Sequence, residues 1–215
     1  MAVSTQPAVL PVDFDGIYAE AHRDPARVPW DDQKPHRALV SWLNHVAPSL
    51  IRCGGRVAVV GCGLGDDARE LLRRGYDVVA FDCSTEAIEW AREIDPDHAD
   101  CYHVADLTAL PSKWHHRFDL VVEINTIQAV PPERRSAIVR PLATLPARHG
   151  HVLIICRGTL EPVVPEDGPP WALTLDELAS LTREAGLEPE GAPCRFEDDK
   201  RPDVLRIRGL YRRAE

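Results

Sequence analysis

The sequence predicts an α/β fold: a Rossmann-like, mostly parallel seven-stranded sheet with helices on both faces and an antiparallel C-terminal edge. Three observations predict it. From residue 56 onward, short apolar runs alternate with segments of helical periodicity, as expected of a parallel sheet covered by helices. A glycine-rich turn follows the first apolar run. The C-terminal tail alternates polar and apolar residues, which is typical of a half-exposed strand.

Four apolar runs are predicted to form the buried parallel strands. They cover residues 57–60, 77–81, 118–122 and 151–155, and each is rich in β-branched or other apolar side chains. Strands that are covered on both faces are apolar along their whole length, because neither face meets water. The alternating tail, residues 202–213, is predicted to add the antiparallel strand at the edge.

The segments between these runs predict helices. Residues 66–74 carry apolar side chains at helical spacing. Residues 132–145 predict a further helix, which we expect Pro141 to bend or break. Ser84 is a predicted N-cap, because its hydroxyl can accept a hydrogen bond from a helical amide. Thr174 and Glu177 have the spacing of a capping box at the start of the last helix.

The first 50 residues have a different character from the rest. They are aromatic, contain prolines and are only partly periodic, which predicts a helical arm over residues 1–50 packed on a domain formed by 51–215. An open sheet of this kind holds its ligand in a crevice at the carboxyl ends of its strands, and a cover is needed to exclude water. We therefore expect the arm to act as a lid.

Net charge, apolar runs and cysteine spacing argue against several classes of partner and ligand. A net charge of -9 argues against a nucleic-acid partner, which would need a concentrated basic face. No apolar run reaches the ~20 residues of a membrane span, and the N-terminus lacks the basic residues of a signal peptide. The six cysteines lack the spacing of a metal site. We expect a cytoplasmic protein with no metal, membrane or nucleic-acid partner; its oligomeric state stays open.

The most informative stretch joins the first two predicted strands. The first strand runs into Gly61, Gly63 and Gly65, a helix follows, and the next strand ends at Asp82. Glycines allow a sharp turn and let a ligand approach the backbone closely. An acid at the end of the second strand can accept hydrogen bonds from both ribose hydroxyls of an adenosine. The combination predicts a cofactor that contains a nucleoside.

The residues after this turn favour S-adenosylmethionine (SAM) over a dinucleotide. The dinucleotide fingerprint needs a glycine where Asp66 stands, and Asp67 follows. A pyrophosphate would rest on this helix N-terminus, where two carboxylates repel it. SAM has no phosphate, and its ammonium and sulfonium groups are cationic. An NAD-dependent oxidoreductase and a non-catalytic SAM- or nucleoside-binding protein remain the alternatives.

A family resemblance agrees with this interpretation. Residues 56–67 resemble the glycine-rich motif of class I SAM-dependent methyltransferases. The chain also resembles the thiopurine S-methyltransferase group and related bacterial small-molecule methyltransferases, although it has Glu123-Ile124-Asn125 where the thiopurine enzymes tend to have Asp-Arg-Gly. The features that carry this finer resemblance are Pro29-Trp30-Asp31 with Pro35-His36, the run from Gly75 to Asp82, the run from Val130 to Arg135, and Gly168-Pro169-Pro170-Trp171.

The resemblance implies a role for each matching position of the glycine-rich region. Gly61, Gly63 and Gly65 would line the methionine part of SAM. Asp82 would hold the ribose, and Cys83 would lie beside the adenine.

Three further positions take roles from the same resemblance. Asp106 would lie near the adenine amino group, and Glu123 would lie under the methionine end of SAM. Trp30 would belong to the arm that covers the cofactor.

The implied reaction is an in-line displacement that moves the SAM methyl group to a small-molecule acceptor. Alignment of the reacting atoms and exclusion of water are then the main tasks of the protein. A thiol or halide acceptor needs little acid–base help, whereas a hydroxyl or amine needs a base. His36, His22 and His103 are candidates for that base, and the sequence assigns none of them as the catalytic residue.

Overall fold

The computed structural model describes residues 12–164, 168–198 and 201–214. The helices are α1 (Phe14–Glu20), α2 (Arg37–His45), α3 (Ala47–Leu50), α4 (Asp66–Arg73), α5 (Thr85–Ile94), α6 (Arg135–Leu142) and α7 (Leu175–Glu184). The strands are β1 (Arg56–Val60), β2 (Asp77–Asp82), β3 (Tyr102–Val104), β4 (Phe118–Ile124), β5 (Pro146–Arg157), β6 (Leu187–Pro189), β7 (Cys194–Glu197) and β8 (Leu205–Arg213).

The strands form one mixed sheet in the order β3-β2-β1-β4-β5-β8-β6. Strands β1 to β5 pair in parallel, and β8 pairs antiparallel to β5. The predicted parallel sheet with an antiparallel C-terminal edge is therefore confirmed, and this path contains the predicted seven strands. The prediction missed β7, an additional strand that pairs with one half of β8 while β6 pairs with the other.

Both faces of the sheet are buried, which explains the apolar runs. In β1, Ala58 and Val60 point into one core and Val57 and Val59 into the other. All four side chains are at most 3% exposed. Burial of each such side chain stabilises the fold by roughly 1.5–3 kcal/mol relative to exposure. The strands therefore hold their carboxyl ends in a fixed row along one edge of the sheet.

The predicted helix caps are present. The Ser84 hydroxyl accepts a hydrogen bond from the Ala87 amide at 3.0 Å and begins α5. The Thr174 hydroxyl accepts one from the Glu177 amide at 3.1 Å and begins α7. Each cap satisfies an amide that has no partner within its own helix.

The helix predicted over residues 132–145 is shorter than expected. A 3-10 turn at Pro132–Arg134 precedes α6, which ends at Leu142. Pro141 lies in the last turn and has no amide proton to continue the helical hydrogen bonds. The prediction was therefore right about the element and wrong about its length.

The N-terminal arm contains α1, α2 and α3, with a 3-10 turn at Pro25–Arg27 and a non-helical segment over residues 28–36 between the first two, and residues 1–11 of the predicted arm lie outside the described residues. Helix α2 inserts Leu39, Trp42 and Leu43 into one of the two sheet cores. Farther towards the N-terminus, Tyr18 packs in a smaller cluster with Leu64 of the glycine-rich turn. The arm thus reaches the sheet edge where the glycines lie. No helix within the described ranges has the length and apolar character needed to cross a membrane.

We predict that Thr174→Ala lowers the free energy of unfolding by about 1 kcal/mol, because the amide capped by the hydroxyl loses its partner. Chemical denaturation monitored by circular dichroism measures the change. Ser180→Ala, in the middle of the same helix, is the control, since among the residues that the structure describes the Ser180 hydroxyl bonds only to the Glu184 side chain at the surface. Equal stability of the two variants would contradict the assigned cap.

Candidate functional site

The glycine-rich turn leaves no room for side chains. Gly61, Gly63 and Gly65 have φ angles of 59°, 51° and 85°, in the left-handed region that favours glycine. A Cβ atom on Gly63 would lie 2.9 Å from the Tyr18 hydroxyl, and one on Gly61 would collide with the Thr126 side chain. The turn therefore tolerates only glycine at these positions, because Tyr18 and Thr126 pack directly against its backbone.

Asp82 connects three elements at this edge. Its side chain is 8% exposed, and burial raises its pKa. One carboxylate oxygen accepts the Gly63 amide at 2.9 Å, and the other accepts the Ser84 amide at 3.0 Å. The amide and thiol of Cys83 also interact with this carboxylate and, like the other two amides, act to lower its pKa against the effect of burial. The structure thus brings Asp82 and the glycine turn together, and the ribose contact itself stays a prediction.

Cys83 and Asp106 lie on the same side of the site as Asp82. Burial, followed by the charges of Asp82 and Asp106, raises the pKa of Cys83 to about 12. Asp106 is exposed and accepts hydrogen bonds from the Thr108 amide and hydroxyl, at 2.7 and 2.8 Å. Its position follows from the pairing of β3 with β2, which aligns Val104 with Asp82. The geometry is compatible with the implied adenine contacts, which nothing in the structure tests.

Glu123 lies at the end of β4, and its implied position under the methionine end of SAM stays a prediction. The residue is fully buried, and one carboxylate oxygen accepts the Thr126 and Ile127 amides at 2.7 and 3.0 Å. Burial raises its pKa to about 7. Its other oxygen has no hydrogen-bond partner among the described residues. Glu123 therefore fixes the turn after β4, and that turn reaches β1 where the Thr126 hydroxyl donates to the Val60 carbonyl at 3.3 Å.

Tyr18 is a site residue that no sequence motif identified. It is 3% exposed, and the Trp30 indole N–H donates to its hydroxyl at 2.9 Å. Burial and then the charge of Asp82 raise the pKa of Tyr18 well above its usual value, so the hydroxyl stays protonated. Trp30 is 44% exposed and packs edge-on against Tyr18 and Phe14. The sequence contained one signal for it: Tyr18 is an aromatic residue in the arm, and the arm has no predicted strand against which Tyr18 would pack.

The arm is fastened beside this site by polar contacts to α5. Asp15 accepts the Ser84 hydroxyl at 2.7 Å and the Glu86 amide at 3.0 Å. Arg23 forms ion pairs with Glu86 and Glu93, at 3.2 and 2.9 Å. Because Ser84 also binds Asp82 through its amide, the arm and the carboxylate are joined through one residue.

A group of carboxylates surrounds the start of α4. Asp66 pairs with Arg69 at 2.8 Å, and Asp67 accepts the His36 amide at 2.7 Å. Burial raises the pKa of Asp67 to about 6. Burial and the neighbouring Asp66 carboxylate also raise the pKa of Asp31, on the arm, to about 6. A cation suits this environment and an additional phosphate does not.

Comparison with known proteins gives the family. A methyltransferase-domain model matches residues 57–150. The ubiquinone biosynthesis O-methyltransferase of Neisseria meningitidis serogroup A / serotype 4A is 31% identical over 169 residues, which cover 68% of this chain and 69% of that protein. The chain belongs to the SAM-dependent methyltransferases. The enzyme of the same name from Bordetella avium is 26% identical over 187 residues, covering 75% of this chain and 76% of the relative.

Solved structures share the fold of this methyltransferase. The Burkholderia thailandensis 1,6-didemethyltoxoflavin-N1-methyltransferase, with 1,6-didemethyltoxoflavin and S-adenosylhomocysteine (SAH) bound, has a TM-score of 0.70 at 19% identity. The match covers 100% of this chain and 99% of the other. A protein solved in work on the conversion of a disulfide bond into a thioacetal group during echinomycin biosynthesis has a TM-score of 0.69 at 25% identity, covering 94% and 91%.

The cofactor of this methyltransferase is SAM, as expected, and the NAD-dependent alternative is set aside. The residues of the site fit SAM: an acid, Asp82, ends β2 directly beside the glycine turn and binds the Gly63 amide, which is the arrangement that a nucleoside ribose requires. The carboxylates at the start of α4 suit a cation. The finer resemblance to thiopurine S-methyltransferases stays a prediction.

We predict that Asp82→Ala weakens SAM binding by about 1.5–3 kcal/mol, the size of hydrogen bonds to a charged group. Gly63→Val should weaken it further, because the new side chain would collide with the Tyr18 hydroxyl, 2.9 Å from the Cβ position, at a φ angle of 51° that valine avoids. Titration calorimetry measures both. Asp97→Ala, which removes an exposed carboxylate elsewhere, is the control. If Asp82→Ala binds SAM as the wild type does, the ribose assignment is wrong.

Proposed function

We propose that this methyltransferase transfers the SAM methyl group to a phenolic hydroxyl of a small molecule, in a crevice that the N-terminal arm closes. The observation that supports oxygen as the methyl acceptor is the activity for which the curated relatives are named. They are named O-methyltransferases, and those from two Bordetella species, parapertussis and bronchiseptica, align with 89% of this chain. The remaining arguments come from the contacts around the crevice.

In this proposal the chain mainly binds and orients. Asp82 holds the ribose hydroxyls, and Gly61, Gly63 and Gly65 allow the methionine part to lie against the backbone. SAM supplies an activated methyl group, bonded to a sulfonium that leaves as a neutral thioether. The chain has to exclude water and align the acceptor oxygen with that methyl group.

The arm is the element that we assign as the lid. Tyr18 presents a protonated hydroxyl to the glycine turn, and its only hydrogen bond within the described residues is the one that it accepts from Trp30. Its own proton is therefore available to an acceptor atom of the cofactor, such as a carboxylate oxygen. A lid that contributes a ligand contact closes more tightly when the ligand is present.

The histidines support a phenolic acceptor over an alcohol. The His36 ring accepts the Ala38 amide on Nδ1 at 3.2 Å, so its neutral form carries its proton on Nε2 and can only donate there. His22 is exposed on the arm, and burial lowers the pKa of His103, which packs against Trp114. A histidine whose pKa is lowered is a weak base, and an alcohol holds its proton far more tightly than a phenol does. A phenol, with a pKa near ~10, ionises far more readily.

The cytoplasmic location and the lack of nucleic-acid and membrane partners stay predictions from the sequence. The small-molecule acceptor is consistent with the methyltransferase family.

We predict methyl transfer from SAM to 4-ethylphenol but not to 4-ethylbenzyl alcohol, because the phenol supplies the oxyanion without a dedicated base. Mass spectrometry of the products measures the transfer, and 4-ethylaniline and 4-ethylthiophenol are the controls for nitrogen and sulfur. Methylation of the aniline or the thiophenol alone would contradict the proposed oxygen acceptor.

We also predict that SAM binds about tenfold more weakly at pH 5 than at pH 7. The positively charged cofactor is attracted by a nearby carboxylate only when that carboxylate is ionised, and a group with a pKa of about 6 is mostly protonated at pH 5. Asp31 and Asp67 have this raised pKa. Calorimetry at a series of pH values measures the effect. SAH, which lacks the sulfonium, should respond less, and Asp31→Asn should flatten the profile for SAM. A flat profile in the wild type would separate these carboxylates from the cofactor.

A further inference from the structure

A cavity of about 550 Å³, wide open to solvent on one side, lies beyond the carboxyl end of β5. This volume lies within the range of pockets that bind small molecules, roughly 300–1,000 Å³. Its lining combines apolar and charged side chains from β5, the segment after it and the approach to β8. The lining includes Arg157, Leu160, Glu161, Ala172, Asp203 and Leu205.

The cavity lies on the same sheet edge as the glycine turn. Strand β5 is two places from β1, with β4 between them, which separates the two strand ends by about 10 Å. Gln128, in the turn after β4, accepts the Arg157 amide with its side chain and the Trp171 amide with its carbonyl. These contacts hold the cavity in a fixed position relative to the turn that follows β4.

Arg157 presents a positive charge that the described residues do not neutralise. Its partner in the β5–β8 register, Arg206, is paired with Asp198 at 2.9 Å and donates to Asn125 at 2.7 Å. Within residues 12–164, 168–198 and 201–214, no hydrogen bond or ion pair reaches the Arg157 guanidinium. An unpaired guanidinium beside a cavity suits a carboxylate, which it can bind through two parallel hydrogen bonds.

The same cavity also carries negative charge. The exposed residues Glu161 and Asp203 line it, and neither carboxylate has an ion pair among the described residues. Leu160 is 69% exposed, and Ala172 and Leu205 add apolar surface. A purely anionic ligand would meet Arg157 and be repelled by the two carboxylates. A ligand with both charges satisfies the whole lining.

We propose that this cavity binds the methyl acceptor and selects an amphoteric molecule. The acid group of the acceptor pairs with Arg157, its amine pairs with Glu161 and Asp203, and its apolar part covers Leu160. This inference rests on the proposed transfer to a phenol and adds the class of molecule that carries the hydroxyl: a small phenolic amino acid. The cavity binds the charged end and leaves the hydroxyl to reach towards β4 and the cofactor.

Four phenols with one skeleton test the charges separately: L-tyrosine carries both groups, tyramine the amine, 3-(4-hydroxyphenyl)propionate the acid, and 4-ethylphenol neither. Calorimetry with the SAH-loaded protein measures binding without turnover. We expect L-tyrosine to bind about tenfold more tightly than either singly charged probe, as each loses a charge-assisted contact. The neutral 4-ethylphenol should bind most weakly.

Two variants assign the contacts. Arg157→Gln should abolish the preference for L-tyrosine over tyramine and leave the preference over 3-(4-hydroxyphenyl)propionate. The double variant Glu161→Gln with Asp203→Asn should do the reverse. Arg148→Gln, an exposed arginine near the start of β5, is the matched control and should retain the wild-type order. Unchanged SAH affinity and thermal unfolding show that each variant is folded.

Three results would each overturn the amphoteric site. They are equal affinities for the four probes, failure of all four to bind, and an equal loss of affinity for all four in Arg157→Gln. Methyl transfer is measured separately by mass spectrometry. The predicted binding order without a methylated phenol would support the cavity and refute the phenolic acceptor. Transfer to 4-ethylphenol without the predicted binding order would support the proposed function and refute the selection of an amphoteric acceptor.

Discussion

The bridge that Asp82 makes between two backbone amides holds the candidate site together. A buried carboxylate is costly unless it is hydrogen-bonded, and here each oxygen accepts one amide, from Gly63 and from Ser84. The first amide belongs to the turn after β1 and the second to the start of α5. Asp82 therefore joins the turn to the start of α5, and the backbone hydrogen bond from the Cys62 amide to the Phe81 carbonyl holds the same turn on β2. The arm is joined to Asp82 as well, because Asp15 binds the Ser84 hydroxyl.

Features that depend on neighbouring residues were predictable from the sequence. The buried strands were found because their apolar runs have no other stable place in a folded chain. The caps at Ser84 and Thr174 were found because a cap involves only a few consecutive residues. Strand β5 begins at Pro146, earlier than the apolar run, because its pairing with β4 shifts register between Phe118 and Leu120. No local pattern predicts such an irregularity.

Features that depend on distant residues were harder to predict. The approach of Gly63 to Asp82 followed from a known strand–turn–helix pattern, whereas the approach of Tyr18 to Gly63 depends on how the arm folds back. Strand β7 is short and mostly exposed, so it has no apolar signature, and its pairing with β8 forms only in the folded chain. The buried position of Glu123 depends on the turn that its own carboxylate closes.

The way in which the arm is fastened has a consequence for access to the glycine turn. Its ion pairs, from Arg23 to Glu86 and Glu93, lie at the surface, where such pairs stabilise by only a few tenths to about 1 kcal/mol. The apolar cluster that contains Tyr18 of α1 is also much smaller than the two sheet cores. Detachment of the first helix therefore requires far less free energy than global unfolding. Local opening of α1 then uncovers the glycine turn, next to which Tyr18 packs, while the sheet stays assembled.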